Sequence, residues 1–223
     1  ERIGRIVGRN KVLGGVVLIG SELNNSWEIR HYTLGKIIIG EMDGRISDRV
    51  RKVADIFKKA NIPCSISNDI QKELWKKLVW NAAFNSVSAI TRSTLKEMLE
   101  CEETRELIRL TMIEVLNIAK GKGHNLDERL IEEYLVVPEK SQDTQTSTLQ
   151  DLLKHKPLEI DAINGVVVTK GMKLGIPTPY NSSLYALLKL INNRKRGQKK
   201  GSEKGVKRGQ KGSSPSMTTY MLE

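Results

Sequence analysis

This 223-residue sequence has few cysteines and no long apolar run. Its two cysteines, Cys64 and Cys101, are far apart and lack the spacing of metal ligands. Two isolated cysteines are usually buried thiols, so we expect a reducing, cytoplasmic setting and no disulfide. No apolar stretch approaches the roughly 20 residues that a membrane-spanning helix needs. The sequence therefore argues against a disulfide-stabilised scaffold and against a membrane protein.

A leader peptide is also missing from the start of the sequence. The chain begins with Glu1, and no charged-then-apolar segment with a small-residue cleavage site follows. We therefore expect the chain to begin partway into a longer protein. Hydrophobic residues make up 39% of the sequence, which is enough for a sizeable core within residues 1–192.

The net charge of +11 is concentrated at the end of the chain. Residues 193–223 contain nine Lys or Arg residues and two Glu, so the part before them is only mildly basic. This segment has too few apolar residues to offset the entropy of ordering it. It could bind nucleic-acid phosphates non-specifically, but we favour a solvated, disordered basic tail.

The first third of the sequence has the pattern of an α/β unit. Residues 11–19 and 30–39 are rich in β-branched residues and predict strands, with a turn over 40–44. Ser47 can cap a helix over residues 48–60, and Pro63 favours a short extended piece after it. A βαβ-like arrangement followed by helices suggests the end of an α/β domain.

Helical periodicity begins at Asn68, which we expect to cap a long first helix. Thr94 and Glu97 form the pattern of a capping box, while Thr178 and Pro179 fit the start of the last helix. Residues 68–192 thus predict an all-α domain. The predicted helices cover residues 68–90, 103–122, 126–136, 147–155, 159–174 and 179–190.

A polar stripe on the first long helix is the most informative feature. Lys77, Asn81 and Asn85 follow one another at intervals of four and share one side of the helix, which Ser88 continues. The surrounding positions are apolar, so the stripe should be buried. Burial would lower the pKa of the lysine and suit it to proton transfer. Alternatively, Lys77 extends to solvent and the asparagines bond neighbouring backbone.

A second group of polar residues lies downstream. Ser147 and Asp151 are followed by Glu159, which Pro157 places in the first turn of the predicted helix. The helix dipole favours a carboxylate there, and Ser147 could be an N-cap, so a structural role explains both residues equally well.

Taken together, these segments resemble the ketopantoate reductase family. Lys77-Leu-Val-Trp-Asn81-Ala-Ala-Phe-Asn85 is similar to the family's Lys-x3-Asn-x3-Asn helix. Its C-terminal signature has the order and spacing of residues 147–151, 159–165 and 175–181. Residues 12–17 and 39–41 resemble the last strands of its first domain, so the likeness covers about residues 5–192.

The resemblance implies a remnant of a Rossmann-type α/β domain in residues 1–67. It also implies an all-α domain like the C-terminal domain of 6-phosphogluconate dehydrogenase in residues 68–192, with the basic tail in 193–223. Helical domains of this kind often pair, so we expect a homodimer through residues 68–192.

The resemblance further implies reduction of 2-dehydropantoate to (R)-pantoate, in the route to coenzyme A, with NADPH or NADH as cofactor. Lys77 matches the general acid, and the two asparagines match residues that bind the substrate and orient the lysine. Ser147 matches a contact to the substrate carboxylate, and Glu159 a residue near both the substrate hydroxyl and the cofactor. Ser21 aligns with a cofactor-contacting position. The candidate site residues are Lys77, Asn81, Asn85, Ser147, Glu159 and Ser21.

Some family features are missing. The Gly-x-Gly-x-x-Gly turn that cradles the pyrophosphate is absent, as is a Gln-Asn-Gly motif before the first residues. A further family asparagine has no counterpart near Ser93 and Thr94. We therefore expect this chain to bind a dinucleotide poorly and to be inactive by itself.

Two other interpretations remain open. One is a related 2-keto- or 3-hydroxyacid dehydrogenase, although those usually carry glycines one turn before the lysine, where residues 71–75 have none. The other is a non-catalytic helical module with a nucleic-acid-binding tail.

Overall fold

A three-stranded sheet occupies the first third of the chain in the computed structural model, which describes residues 2–24, 27–137 and 142–203. A short helix, α1 (Arg2–Val7), and a 3-10 turn, Arg9–Lys11, precede β1 (Leu13–Asn24). This strand pairs antiparallel with β2 (Glu28–Glu41), which pairs parallel with β3 (Cys64–Ile66). The predicted strands are confirmed, although β1 begins at Leu13 rather than at residue 11; β1 continues beyond its expected end, and β2 extends beyond both of its expected ends.

Helix α2 (Asp48–Lys59) connects β2 to β3 and completes the predicted βαβ unit. Ser47 caps it, as predicted, by accepting a hydrogen bond from Val50 N. Val50 and Ala54 are buried against Ile39 on one face of the sheet. The α/β pattern of the sequence therefore corresponds to a real sheet with a helix packed on it.

The opposite face of the sheet holds the start of the helical domain. Ile70 of α3 (Ile70–Trp80) is buried against Val16. Gly14 and Gly40 are paired in the sheet, and a Cβ on either would lie within 2.9 Å of Ile70 side-chain atoms. Glycine at these two positions thus allows α3 to lie directly on the sheet.

The first long helix departs from the prediction in its cap and in its geometry. Asp69, not Asn68, is the N-cap, because its side chain accepts the hydrogen bond from Lys72 N. The helix continues from α3 through a π-helical turn, Asn81–Asn85, into α4 (Ser86–Thr91). We call Asn81–Asn85 the π segment.

The remaining helices form one bundle around α6, as predicted for an all-α domain. The capping box of Thr94 and Glu97 is present. Phe84, Ile108 and Met112 are fully buried in the main core. The helices are α5 (Leu95–Glu100), α6 (Glu102–Gly121), α7 (Arg129–Leu135), α8 (Ser147–Leu153), α9 (Asn164–Leu174) and α10 (Pro179–Glu203).

Several helix boundaries differ from the prediction; α7, for example, begins at Arg129 rather than at residue 126. Helix α9 begins at Asn164, because Ile163 has a non-helical backbone (φ −103°, ψ −91°), so Glu159 precedes the helix rather than lying in its first turn. Helix α8 is capped by Thr146, which leaves Ser147 as its first residue. Helix α10 runs to Glu203, so the predicted tail begins as helix, and residues 204–223 lie outside the described residues.

Candidate active site

Lys77 lies on α3 where the helical domain meets the sheet. Its side chain is half-buried, and its Nζ donates a hydrogen bond to the Val17 carbonyl oxygen of β1 at 3.0 Å. Burial lowers the pKa of this amine, and the negative charge of Glu159 partly opposes the shift. The alternative in which Lys77 extends freely into solvent is therefore wrong.

Glu159 completes a small group of interacting charges. Burial raises its pKa, the neighbouring Asp151 raises it further, and Lys77 lowers it. Burial also raises the pKa of Asp151. No hydrogen bond joins Lys77 to Glu159 among the described residues, so the two groups interact through space. A cation and two carboxyl groups thus share a partly desolvated region between α3 and α8.

The side-chain amides of the two stripe asparagines have no hydrogen-bond partner in the described part of the chain, which corrects the alternative that they bond neighbouring backbone. Asn85 is only 4% exposed, and Asn81 is half-buried. Every fully enclosed side-chain N or O of a described residue has a hydrogen-bond partner. The amide atoms of Asn85 must therefore keep some access from outside, which suits an amide that binds a ligand.

Ser88 does not belong to this ligand-facing group. It is fully buried, and its Oγ donates to the Ser93 carbonyl oxygen at 2.7 Å, just beyond the end of α4. The stripe predicted from the sequence therefore ends at Asn85.

Ser147 and Ser21 lie apart from Lys77 in different ways. Ser147 is exposed at the start of α8, a helix that packs on α4 and the π segment. Ser21 is paired with His31, four residues beyond Val17 along β1. At roughly 3.3 Å per residue, it lies about 13 Å along the strand from the carbonyl that binds Lys77. The structure groups Lys77, Asn81, Asn85 and Glu159, with Ser147 on a neighbouring helix, and leaves Ser21 outside this group.

Neither a metal centre nor a membrane span occurs in the part of the chain that the structure describes. No group of three or more His, Cys, Asp or Glu side chains there could hold a metal ion. None of the described helices is long and apolar enough to cross a membrane. The chemistry of this site is that of an amine, carboxamides and carboxyl groups.

Comparison with known proteins bears directly on this geometry. Residues 69–192 match the family model described as "Ketopantoate reductase PanE/ApbA C terminal". The chain belongs to the ketopantoate reductase family. The family resemblance read from the sequence is thus confirmed, and the matched residues contain all of the site except the β1 carbonyl.

Individual members of the ketopantoate reductase family agree with this assignment. A 2-dehydropantoate 2-reductase of Nostoc sp. is 30% identical over 88% of this chain and 63% of its own length. The crystal structure of 2-dehydropantoate 2-reductase from Methylococcus capsulatus is 30% identical with a TM-score of 0.79, over 87% of this chain and 67% of that one. The chain spans about 60% of the length of the curated relatives that it matches.

A more distant likeness concerns the fold alone. The structure of D-mandelate dehydrogenase with NADH and anilino(oxo)acetate has a TM-score of 0.81 at 22% identity, over 87% of this chain and 64% of that one. The α/β unit followed by a helical domain is therefore shared beyond the ketopantoate reductases, which confirms the predicted fold class.

Two features of the site escaped the sequence reasoning. The sequence gives no sign of the π segment, although such turns often occur at functional sites. The sequence indicates Asp151 only as part of the Ser147–Asp151 motif, yet its charge raises the pKa of Glu159. Its signal was the four-residue spacing from Ser147, which places both on one side of α8.

Proposed function

We propose that this chain forms the substrate-binding and proton-donating part of an enzyme that reduces 2-dehydropantoate to (R)-pantoate. One observation carries the proposal: Lys77 is a half-buried amine with a lowered pKa, and it is followed along the same helix by two carboxamides that have no partner among the described residues. An ammonium in a partly desolvated site readily gives up a proton, and it also stabilises the negative charge that develops on a keto oxygen.

Each residue then has a specific task. Lys77 holds a proton at the keto oxygen of the substrate and donates it as that oxygen becomes an alkoxide. Asn81 and Asn85 bind the polar substrate through amide groups that have no partner in the described residues. Glu159 keeps Lys77 charged and accepts a hydrogen bond from the substrate hydroxyl, and Ser147 binds the substrate carboxylate.

The cofactor proposed for this reaction is NADPH or NADH, which would supply the hydride. The residues of this chain fit only the nicotinamide end of such a cofactor. The glycine-rich turn that holds a pyrophosphate is not in this sequence, and Ser21 lies far along β1 from Lys77. We therefore assign Glu159 to the region shared with the nicotinamide, and we derive no pyrophosphate-binding site from this chain.

The substrate assignment can be tested with a pair of matched keto acids. The protein is this chain joined to the dinucleotide-binding segment of a ketopantoate reductase, and the assay follows consumption of NADPH. The substrates are 2-dehydropantoate and 3,3-dimethyl-2-oxobutanoate, which differ only in the terminal hydroxyl. A site built to hydrogen-bond a hydroxyl rejects the analogue by orders of magnitude in kcat/KM, because its buried polar groups lose their partner.

Equal rates with both keto acids would contradict the substrate assignment, and so would a preference for 3-hydroxyisobutyrate oxidation.

We further propose a cytoplasmic homodimer paired through the helical domain. Free Cys64 and Cys101 are consistent with a reducing compartment. Light scattering on the eluting protein would measure the mass, and a monomer at micromolar concentration would contradict the dimer.

A further inference from the structure

A line of buried polar groups connects α6 to the start of α10. The Glu114 carboxylate accepts hydrogen bonds from Tyr180 N at 2.8 Å and from Asn181 N at 2.9 Å. It therefore caps α10, the role that the sequence suggested for Thr178. The same carboxylate accepts a third hydrogen bond from Asn181 Nδ2, at 2.8 Å. Both residues are buried, so these bonds are not shared with bulk water.

The Glu114 carboxylate fixes the orientation of the amides beyond it. A carboxylate only accepts, so Asn181 must turn its NH2 group towards Glu114 and its Oδ1 towards Asn164. Asn164 Nδ2 donates to that Oδ1 at 3.0 Å. Asn164 in turn presents its own Oδ1 to Ser86, whose Oγ donates at 2.5 Å. The orientation of Asn164 is thus set by a carboxylate two residues away in the network.

Asn164 also forms a hydrogen bond with the helix that carries Lys77. Its Nδ2 donates a second hydrogen bond, at 2.9 Å, to the carbonyl oxygen of Ala82 in the π segment. Asn164 is fully buried, and both of its amide hydrogens and its oxygen are used. A side chain that bonds a helical carbonyl in this way is a recognised cause of a break in the regular helical ladder.

The π segment runs from one stripe asparagine to the other, so its geometry sets the angle between their side chains around the helix axis. In an uninterrupted α-helix of 3.6 residues per turn, positions four apart drift by about 40°, so Asn85 would lie about 80° around the helix from Lys77. The wider turn between Asn81 and Asn85 takes up part of the second drift. Its presence keeps the Asn85 carboxamide closer to the side that carries Lys77.

We propose that Asn164 is a positioning residue for the site. Its amide, oriented by Asn181 and Glu114, holds the π segment through Ala82 and Ser86, and so aims Asn85 at the ligand. The proposal rests on the proposed function in that the ligand is the keto acid of that reaction. The structural part, however, can be measured without any reaction.

The test compares three variants of the purified chain by NMR. Asn164→Asp keeps the shape but replaces the donor with an oxygen facing two acceptors. Ser86→Ala removes one hydroxyl and is milder, so it serves if the first variant fails to fold. Asn192→Ala is the matched control: Asn192 is also buried, and its Oδ1 accepts from Leu158 N, but it is not bonded to the network.

Two signals distinguish positioning from ordinary destabilisation. Exchange of the amide hydrogens of residues 81–86, relative to those of α6, should accelerate at least about tenfold in Asn164→Asp and about three- to tenfold in Ser86→Ala. The side-chain NH2 resonances of Asn85 should move in both variants. In the Asn192→Ala control, the exchange rate of residues 81–86 relative to α6 and the Asn85 side-chain resonances should both be unchanged. Equal behaviour of the three variants would overturn the proposal.

A kinetic measurement separates this inference from the proposed function. In the chain joined to a dinucleotide-binding segment, Asn164→Asp should lower kcat by about 10²-fold, since small misplacements of binding groups have effects of that size. Altered NMR signals with no keto-acid reduction by the parent protein would refute the function and leave the positioning role standing. An active parent with an unaltered π segment in the variants would refute the positioning role alone.

Discussion

Replacing Lys77 with alanine should remove most of the catalysis and little of the stability. Among the described residues, the Lys77 ammonium is the only cation whose charge lowers the pKa of Glu159, and Lys77 is half-buried on the same helix side as two carboxamides. A general acid contributes roughly 10²- to 10⁴-fold to a rate. With about 1.36 kcal/mol per factor of ten, the expected loss is about 3–5 kcal/mol of transition-state stabilisation.

The expected cost in folding is smaller for a structural reason. Lys77→Ala removes one hydrogen bond, the one to Val17 O, which is worth about 0.5–1.5 kcal/mol. The removal also relieves the desolvation of a charged amine, which offsets part of this cost. The variant should therefore remain folded at room temperature, with a change in the free energy of unfolding below about 1.5 kcal/mol.

Lys76, the preceding residue of the same helix, provides the control. Its Nζ pairs with Glu73 at 2.9 Å, and such a helical pair contributes only about 0.2–0.5 kcal/mol. The measurements are NADPH consumption with 2-dehydropantoate, in the joined protein described above, and urea unfolding followed by circular dichroism. Lys76→Ala should be almost unchanged in both. Near-normal turnover in folded Lys77→Ala, or an equal loss in the two variants, would refute the general-acid role.

Three further predictions concern charge and packing. Glu159→Gln should lower the pKa of Lys77 further, since Glu159 is the group that raises it; a carbon-13 titration of the lysine side chains would show this, and an unchanged pKa would contradict it. The pKa of Glu159 is raised in the folded protein, so the contribution of this group to stability is fully present below the ordinary glutamate pKa and is lost as the pH rises through the pKa of the folded state. Urea unfolding of Glu159→Gln across this pH range should lack that decline in stability. Phe84→Ala should cost about 3–5 kcal/mol in urea unfolding, because the ring of this π-segment residue is fully buried in the main core, and a loss below about 1 kcal/mol would show that the core relaxes around it.

Local patterns in the sequence were sufficient for most of the secondary structure. The strands, the caps at Ser47 and Thr94, and the all-α character of residues 68–192 follow from interactions between residues a few positions apart. The interval of four between Lys77, Asn81 and Asn85 likewise places them on one helical side, because 3.6 residues make a turn. These features need no knowledge of the rest of the chain.

Other features depended on contacts between distant segments. The cap of α10 comes from Glu114 on another helix, and the π segment is held by Asn164, far along the chain from Ala82. The prediction that Glu159 lies in a first helical turn was wrong, because Ile163 leaves helical geometry and delays α9 to Asn164. No local pattern encodes the hydrogen bonds of Glu114 and Asn164, since each requires a donor and an acceptor from distant segments of the chain.

The sequence by itself determined which residues could do the chemistry: an amine and two carboxamides at helical spacing, with a carboxylate downstream. Tertiary structure alone decided how far these groups are buried and in which direction their pKa values shift. Packing of α3 on β1 half-buries Lys77 and lowers the pKa of its amine, and packing of α8 beside Glu159 brings in Asp151. Desolvation and Coulomb interactions depend on three-dimensional distance, and the order of residues along a chain does not specify that distance.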